Sequence, residues 1–113
     1  MNAIKRLLIA NRGEIACRVI RACKRLGIES VAVFSDADRH SQHVQQADMA
    51  VHIGGSAASD SYLNAEAIIT AAQKISADAI HPGYGSLSDS TALISLCPQH
   101  DVIFVGPRLA SLA

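Results

Sequence analysis

The chain has 113 residues, half of them hydrophobic and 18% charged, the composition of one soluble globular domain with enough bulk for a core. Ten Lys and Arg balance ten Asp and Glu, so the net charge is zero, and a general nucleic-acid binder, normally basic, is disfavoured. Aromatic residues make up only 4%, with no Trp, so platforms for stacking bases are scarce as well.

Lys5 to Ala10 reads as a short buried strand ending at Asn11-Arg12-Gly13. Helical periodicity follows from Gly13 to Leu26, with Ile15, Val19, Ala22, Cys23 and Leu26 on one face. Asn11 with Glu14 three residues later predicts a capping box, and Gly27 terminates the helix. Ser30 to Ser35 is a second strand. The polar stretch from Asp36 to Asp48 has room for a short helix around His43 to Ala47, and Met49 to Ile53 is a weaker third strand closed by Gly54-Gly55.

Asn64 is placed to cap the next helix, whose buried stripe is Ala65, Ile68, Ile69, Ala72 and Ile75. Ala77 to His81 is a fourth strand and runs into His81-Pro82-Gly83-Tyr84-Gly85. Leu87 to Cys97 is a less regular helix, stopped by Pro98. Val102 to Val105 is a fifth strand ending in Gly106-Pro107, and Arg108 to Ala113 reads as the first turns of another helix, expected to lead into a longer protein. Near-continuously apolar strands separated by helices predict an α/β fold: a Rossmann-like, doubly wound, mainly parallel five-stranded sheet with helices on both faces. One domain occupies residues 1–113, with no internal repeat and no linker.

Three loops lie at the carboxyl ends of the strands, where such sheets gather ligands. Asn11-Arg12-Gly13-Glu14 has one glycine where a dinucleotide fingerprint needs three. It either caps the helix beside a surface arginine or holds an anion at the helix terminus. Ser35-Asp36-Ala37-Asp38-Arg39 is either a ribose reader or a turn built by Asp side chains. In His81-Pro82-Gly83-Tyr84-Gly85, two glycines let the backbone approach a ligand and Tyr84 offers a flat face and a hydroxyl; His81 alone reads as structural.

His40 and His43 have an H-x-x-H spacing with His52 nearby, but nothing completes a zinc set, so no metal site is expected. Glu14, Arg18, Arg21 and Arg25 line one helix face, with Glu14 and Arg18 in the favourable order for an ion pair. That face is either solvated or an interface. Cys17, Cys23 and Cys97 are an odd set on unrelated faces and are expected to be free thiols. The amino terminus lacks the features of a signal peptide, and no apolar run approaches the roughly 20 residues that span a bilayer. No self-contained catalytic centre is visible: there is no Walker loop, no Ser nucleophile elbow and no carboxylate cluster for magnesium.

Several segments occur together in order: Ile9-Ala-Asn-Arg-Gly-Glu-Ile-Ala16, Arg18-Val-Ile-Arg-Ala22, Val31-Ala-Val33, Ser35-Asp-Ala-Asp-Arg39, Ala47-Asp48, Ser61-Tyr-Leu-Asn64, His81-Pro-Gly-Tyr-Gly85 and Phe104-Val-Gly-Pro107. In combination the chain closely resembles the N-terminal, pre-ATP-grasp domain of biotin carboxylase. Cys17 and Asp36-Ala-Asp-Arg-His40 look most like the biotin-containing subunits of acyl-CoA carboxylases of the methylcrotonyl or propionyl type.

The resemblance implies an ATP-dependent ligase in which ATP, magnesium and bicarbonate yield carboxyphosphate, which carboxylates N1 of biotin on a carrier. ATP and magnesium would bind mainly outside this chain, so the chain alone is expected to be inactive. It also implies that the loop of His81, Gly83, Tyr84 and Gly85 faces biotin and that Arg18, Arg21 and Arg25 lie at a homodimer surface. The implied partners are the biotin carboxyl carrier domain and a carboxyltransferase subunit, with no nucleic acid and no membrane, in the cytoplasm or the mitochondrial matrix. After Gly85 the chain departs from the family: Ser86-Leu87-Ser88-Asp89-Ser90 stands where Phe-Leu-Ser-Glu-Asn is usual. Two other readings remain: a non-catalytic module that binds carboxylase subunits through the arginine helix, and a nucleotide-binding Rossmann domain.

Overall fold

The computed structural model describes residues 4–55, 64–82 and 91–105. Five strands form one sheet: β1 (Arg6–Ile9), β2 (Glu29–Ser35), β3 (Met49–Gly54), β4 (Ala79–His81) and β5 (Ile103–Phe104). They lie in the order β3-β2-β1-β4-β5, and every pairing is parallel. The expected doubly wound α/β sheet is what the chain forms. Its strands need apolar side chains on both faces, because each face is covered, and β1 and β2 are accordingly buried nearly throughout.

The helices are α1 (Gly13–Leu26), α2 (Gln42–Gln46), α3 (Ala65–Lys74) and α4 (Thr91–Gln99), with a 3-10 turn over Asp36–Asp38. On one face Leu7, Ile9 and Ala79 meet Ala16, Val19, Ile20 and Cys23 of α1. On the other, Leu8, Val33 and Ile80 meet Ile68, Ile69 and Ala72 of α3 and Leu93 and Cys97 of α4. Winding reverses between β1 and β4, so the topological switch point lies between their carboxyl ends.

All three longer helices end the same way. Gly27 stands at φ +72, its N–H bonds Lys24 and the N–H of Ile28 reaches back to the Cys23 carbonyl, a Schellman motif. A Cβ on Gly27 would meet nothing within 4 Å, so glycine is there for its conformation and not for space. Ser76 at φ 54 and Asp101 at φ 58 repeat the motif, with Ala77 bonding back to Ala72 and Val102 to Cys97.

Four local expectations are corrected. The N-cap of α1 is Arg12, without a side-chain cap bond; the Asn11 amide instead donates to the Pro82 carbonyl at 3.5 Å. Pro98 does not stop α4 but sits inside its last turn, because the helix closes on Asp101. The buried face of α1 is turned toward Ala16, Cys17 and Ile20, leaving Leu26 53% exposed. The reason is α2, which packs on α1 and covers a side made of small residues that carry little weight in an apolar stripe. Glu14 pairs with Arg21 at 3.2 Å, two turns away, not with Arg18. The Asn64 cap is as expected, with its Oδ1 accepting from the Ala67 N–H at 3.1 Å.

Candidate functional site

The carboxyl edge of the sheet carries two neighbouring crevices. The first is the one that a doubly wound sheet forms at its switch point, between β1 and β4. The Ala10 N–H donates to the His81 carbonyl at 2.9 Å, extending the β1–β4 ladder past its last pair. The Asn11 amide then reaches the Pro82 carbonyl. These two bonds fix the take-off of the chain into Gly83, Tyr84 and Gly85, which lie outside the described residues, as does the altered segment 86–90. His81 is 4% exposed, and burial lowers its imidazole below the ordinary 6.5 against a smaller raising effect of a backbone hydrogen bond. It is therefore a neutral ring near pH 7, suited to structure and hydrogen bonding.

The second crevice lies between the carboxyl ends of β1 and β2. Gly13 opens α1 at φ +68, and no atom lies within 4 Å of where a Cβ would stand. Opposite it, the Asp38 carboxylate is buried and accepts from Arg12 Nη2 at 2.7 Å, Ser41 Oγ at 3.4 Å and Ser35 Oγ at 3.5 Å. The Asp38 side chain thus ties the loop after β2 to Arg12 and to two serine hydroxyls. A groove of about 420 Å³ remains, lined by Arg12, Gly13, Glu14, Cys17, Asp38, Ser41, Gln42 and His43. Burial first, and then the Glu14 carboxylate, push the Cys17 thiol above its ordinary range, so it is a packing group.

The histidines are dispersed by the fold. His43 is 1% exposed and its Nε2 lies 3.1 Å from the Val33 carbonyl. His52 pairs with Asp36 at 2.6 Å on the surface, and His40 is exposed. Among the described residues no three His, Cys, Asp or Glu groups gather to hold a metal. All three cysteines are free and buried, and burial raises Cys23 and Cys97 to about 11. Arg18, Arg21 and Arg25 are exposed on α1, and Arg21 reaches Glu14 at the rim of the groove at 3.2 Å. Among the described residues no helix is long and apolar enough to cross a membrane.

Sequence reasoning passed over two features of this edge. The Asn11 bond to Pro82 was hidden because Asn before a helix signals a cap. The enclosure of His43 was hidden because its spacing to His40 was weighed only for metal binding.

Comparison with known proteins gives a consistent picture. The family model described as the biotin carboxylase N-terminal domain matches residues 3–112. The chain is 57% identical to biotin carboxylase 1 of Bacillus subtilis (strain 168) over 110 residues, covering 97% of this chain and 24% of that one. It is 54% identical to the mitochondrial methylcrotonoyl-CoA carboxylase subunit alpha of Mus musculus, covering 97% of this chain and 15% of the relative. The urea carboxylase of Kluyveromyces lactis superposes with a TM-score of 0.89 at 48% identity, over 96% of this chain and 10% of that structure. The chain thus spans a quarter or less of the length of these relatives.

Proposed function

Because the chain belongs to the biotin carboxylase N-terminal domain family, we propose that it is the first module of an ATP-dependent biotin carboxylase in an acyl-CoA carboxylase. The observation that carries this reading is the match itself, which spans nearly the whole chain and includes the His81-Pro82-Gly83-Tyr84-Gly85 run at the switch point. Residues 1–113 form one domain of a larger enzyme. Its catalytic groups, with the sites for ATP, magnesium and bicarbonate, belong to regions that relatives carry beyond this length. ATP would supply the energy to activate bicarbonate, and carrier-bound biotin would accept the carboxyl group.

In this reading the chain contributes one wall. The Ala10–His81 and Asn11–Pro82 bonds hold the end of β4 just ahead of Gly83, Tyr84 and Gly85, the residues that this reading assigns to biotin. A neutral, buried His81 anchors that loop without bringing charge to it. The exposed Arg18, Arg21 and Arg25 supply the homodimer contact, and the carrier domain and a carboxyltransferase subunit are the remaining partners. The arginine helix acting alone, as a free-standing interaction module, is the weaker reading, since the likeness extends over both crevices and not over α1 only.

The reading is tested by complementation. The chain alone should show no bicarbonate-dependent ATP hydrolysis. Mixed with a Bacillus subtilis biotin carboxylase lacking its own first quarter, it should restore hydrolysis and carboxylation of free biotin. Turnover by the chain alone, or no restoration by a folded chain, overturns the proposal.

A further inference from the structure

We propose that Asn11 is a positioning residue for biotin, which acts without touching it by holding the Pro82 carbonyl at the end of β4. The proposal rests on the carboxylase reading, in which Gly83, Tyr84 and Gly85 face biotin.

The ladder between β4 and β5 runs out of main-chain donors at Pro82. The β4 carbonyls that face β5 come two residues apart: Asp78 accepts from the Ile103 N–H and Ile80 from the Val105 N–H, both at 2.9 Å. The same step brings the next rung to Pro82 and residue 107. Residue 107 is a proline, which has no N–H to give. Pro82 is buried, and a buried carbonyl needs a donor. The Asn11 amide supplies one, with its Nδ2 3.5 Å from the Pro82 oxygen.

Asn11 can serve there because Arg12, one residue later, is the N-cap of α1. Its amide brings two N–H donors on a short stem. The Pro82 carbonyl shares one rigid peptide plane with the Gly83 nitrogen. A donor on that oxygen therefore fixes the plane from which the next residues start. Two of the next three are glycines, which bring no side chain to anchor the segment, so its direction depends on how its ends are held. Loss of the Asn11 donor should then weaken biotin binding and leave the ATP-dependent step, assigned to regions beyond this chain, nearly untouched.

The test is steady-state kinetics of the chain complemented with the Bacillus subtilis biotin carboxylase that lacks its own first quarter, with free biotin as the varied substrate. Asn11→Ala should raise KM for biotin about threefold, with kcat and KM for ATP close to those of the parent. Asn11→Asp keeps the size but sets a carboxylate against the carbonyl, and should raise KM for biotin about tenfold. Asn11→Gln keeps the donor and should fall between the parent and Asn11→Ala. An unchanged KM for biotin in active mixtures overturns the proposal. So does an equal rise in KM for ATP, or a loss in Asn11→Gln as large as in Asn11→Ala. Failure of the parent mixture is a different result: it overturns the carboxylase reading, and this proposal with it.

Discussion

Two crevices share one sheet edge and differ in what holds them: main-chain acceptors at one, a buried carboxylate at the other. The one between β1 and β4 is held by a main-chain bond, Ala10 to His81, and by the Asn11 side-chain amide on the Pro82 carbonyl, around a buried ring that burial keeps neutral. The one between β1 and β2 is held by side chains around a buried charge, Asp38, which is matched by Arg12 and two serine hydroxyls. A backbone-built crevice fixes where a loop leaves the sheet and tolerates changes in side chains. A crevice built on one carboxylate depends on that carboxylate. Position on an α/β edge selects where ligands gather, while the source of the hydrogen bonds decides how fragile each place is.

The largest expected effect tests that dependence. Asp38→Ala should destabilise the chain by about 2–3 kcal/mol, since it strips three partners from a buried site. Arg12→Ala should cost about 1 kcal/mol or less, because the Arg12 side chain is 62% exposed and its loss leaves Asp38 with the serines. Urea midpoints at unchanged slope measure both. Equal losses for the two would break the contrast.

The next effect is on pH. Burial holds His81 below its ordinary 6.5, so between the two values the unfolded chain binds a proton that the folded chain refuses. The stability from the neutral ring is complete above 6.5 and is lost as pH falls through the folded value. The slope contributed is at most about 1.4 kcal/mol per pH unit. Midpoints at a series of pH values should fall less steeply below 6.5 in His81→Gln than in the parent chain. Parallel curves would remove His81 from the account.

Most of the architecture was legible because parallel strands must be apolar on both faces and helices on one. Gly27, a glycine at a helix end, declared its motif openly. Ser76 and Asp101 form the same motif and could not be read: serine does not advertise a left-handed conformation, and aspartate, though enriched there, is far commoner elsewhere. Pro98 reads as a stop signal, yet a proline within the last turn is tolerated when the closing bond comes from Val102. The turn of α1 toward α2 depends on a contact between distant segments, which periodicity within one helix does not contain. For the same reason the partnership of Asp38 with Arg12 could not be read, since it exists only once β1 and β2 lie side by side.

The smallest effect sharpens the backbone-built crevice. The Asn11–Pro82 bond is long, at 3.5 Å, and partly buried, so Asn11→Ala should cost only about 0.5 kcal/mol in stability. Its neighbour, the Ala10–His81 bond at 2.9 Å, remains in the variant because it uses main-chain atoms alone. The consequence should therefore be local. Amide exchange should quicken at His81 beyond the change at Leu8, which pairs with Ile80 one position deeper in the ladder. If Asn11→Ala quickens exchange at Leu8 and His81 alike, the bond acts on the whole sheet. If it quickens neither, the main-chain bond alone sets where the loop departs.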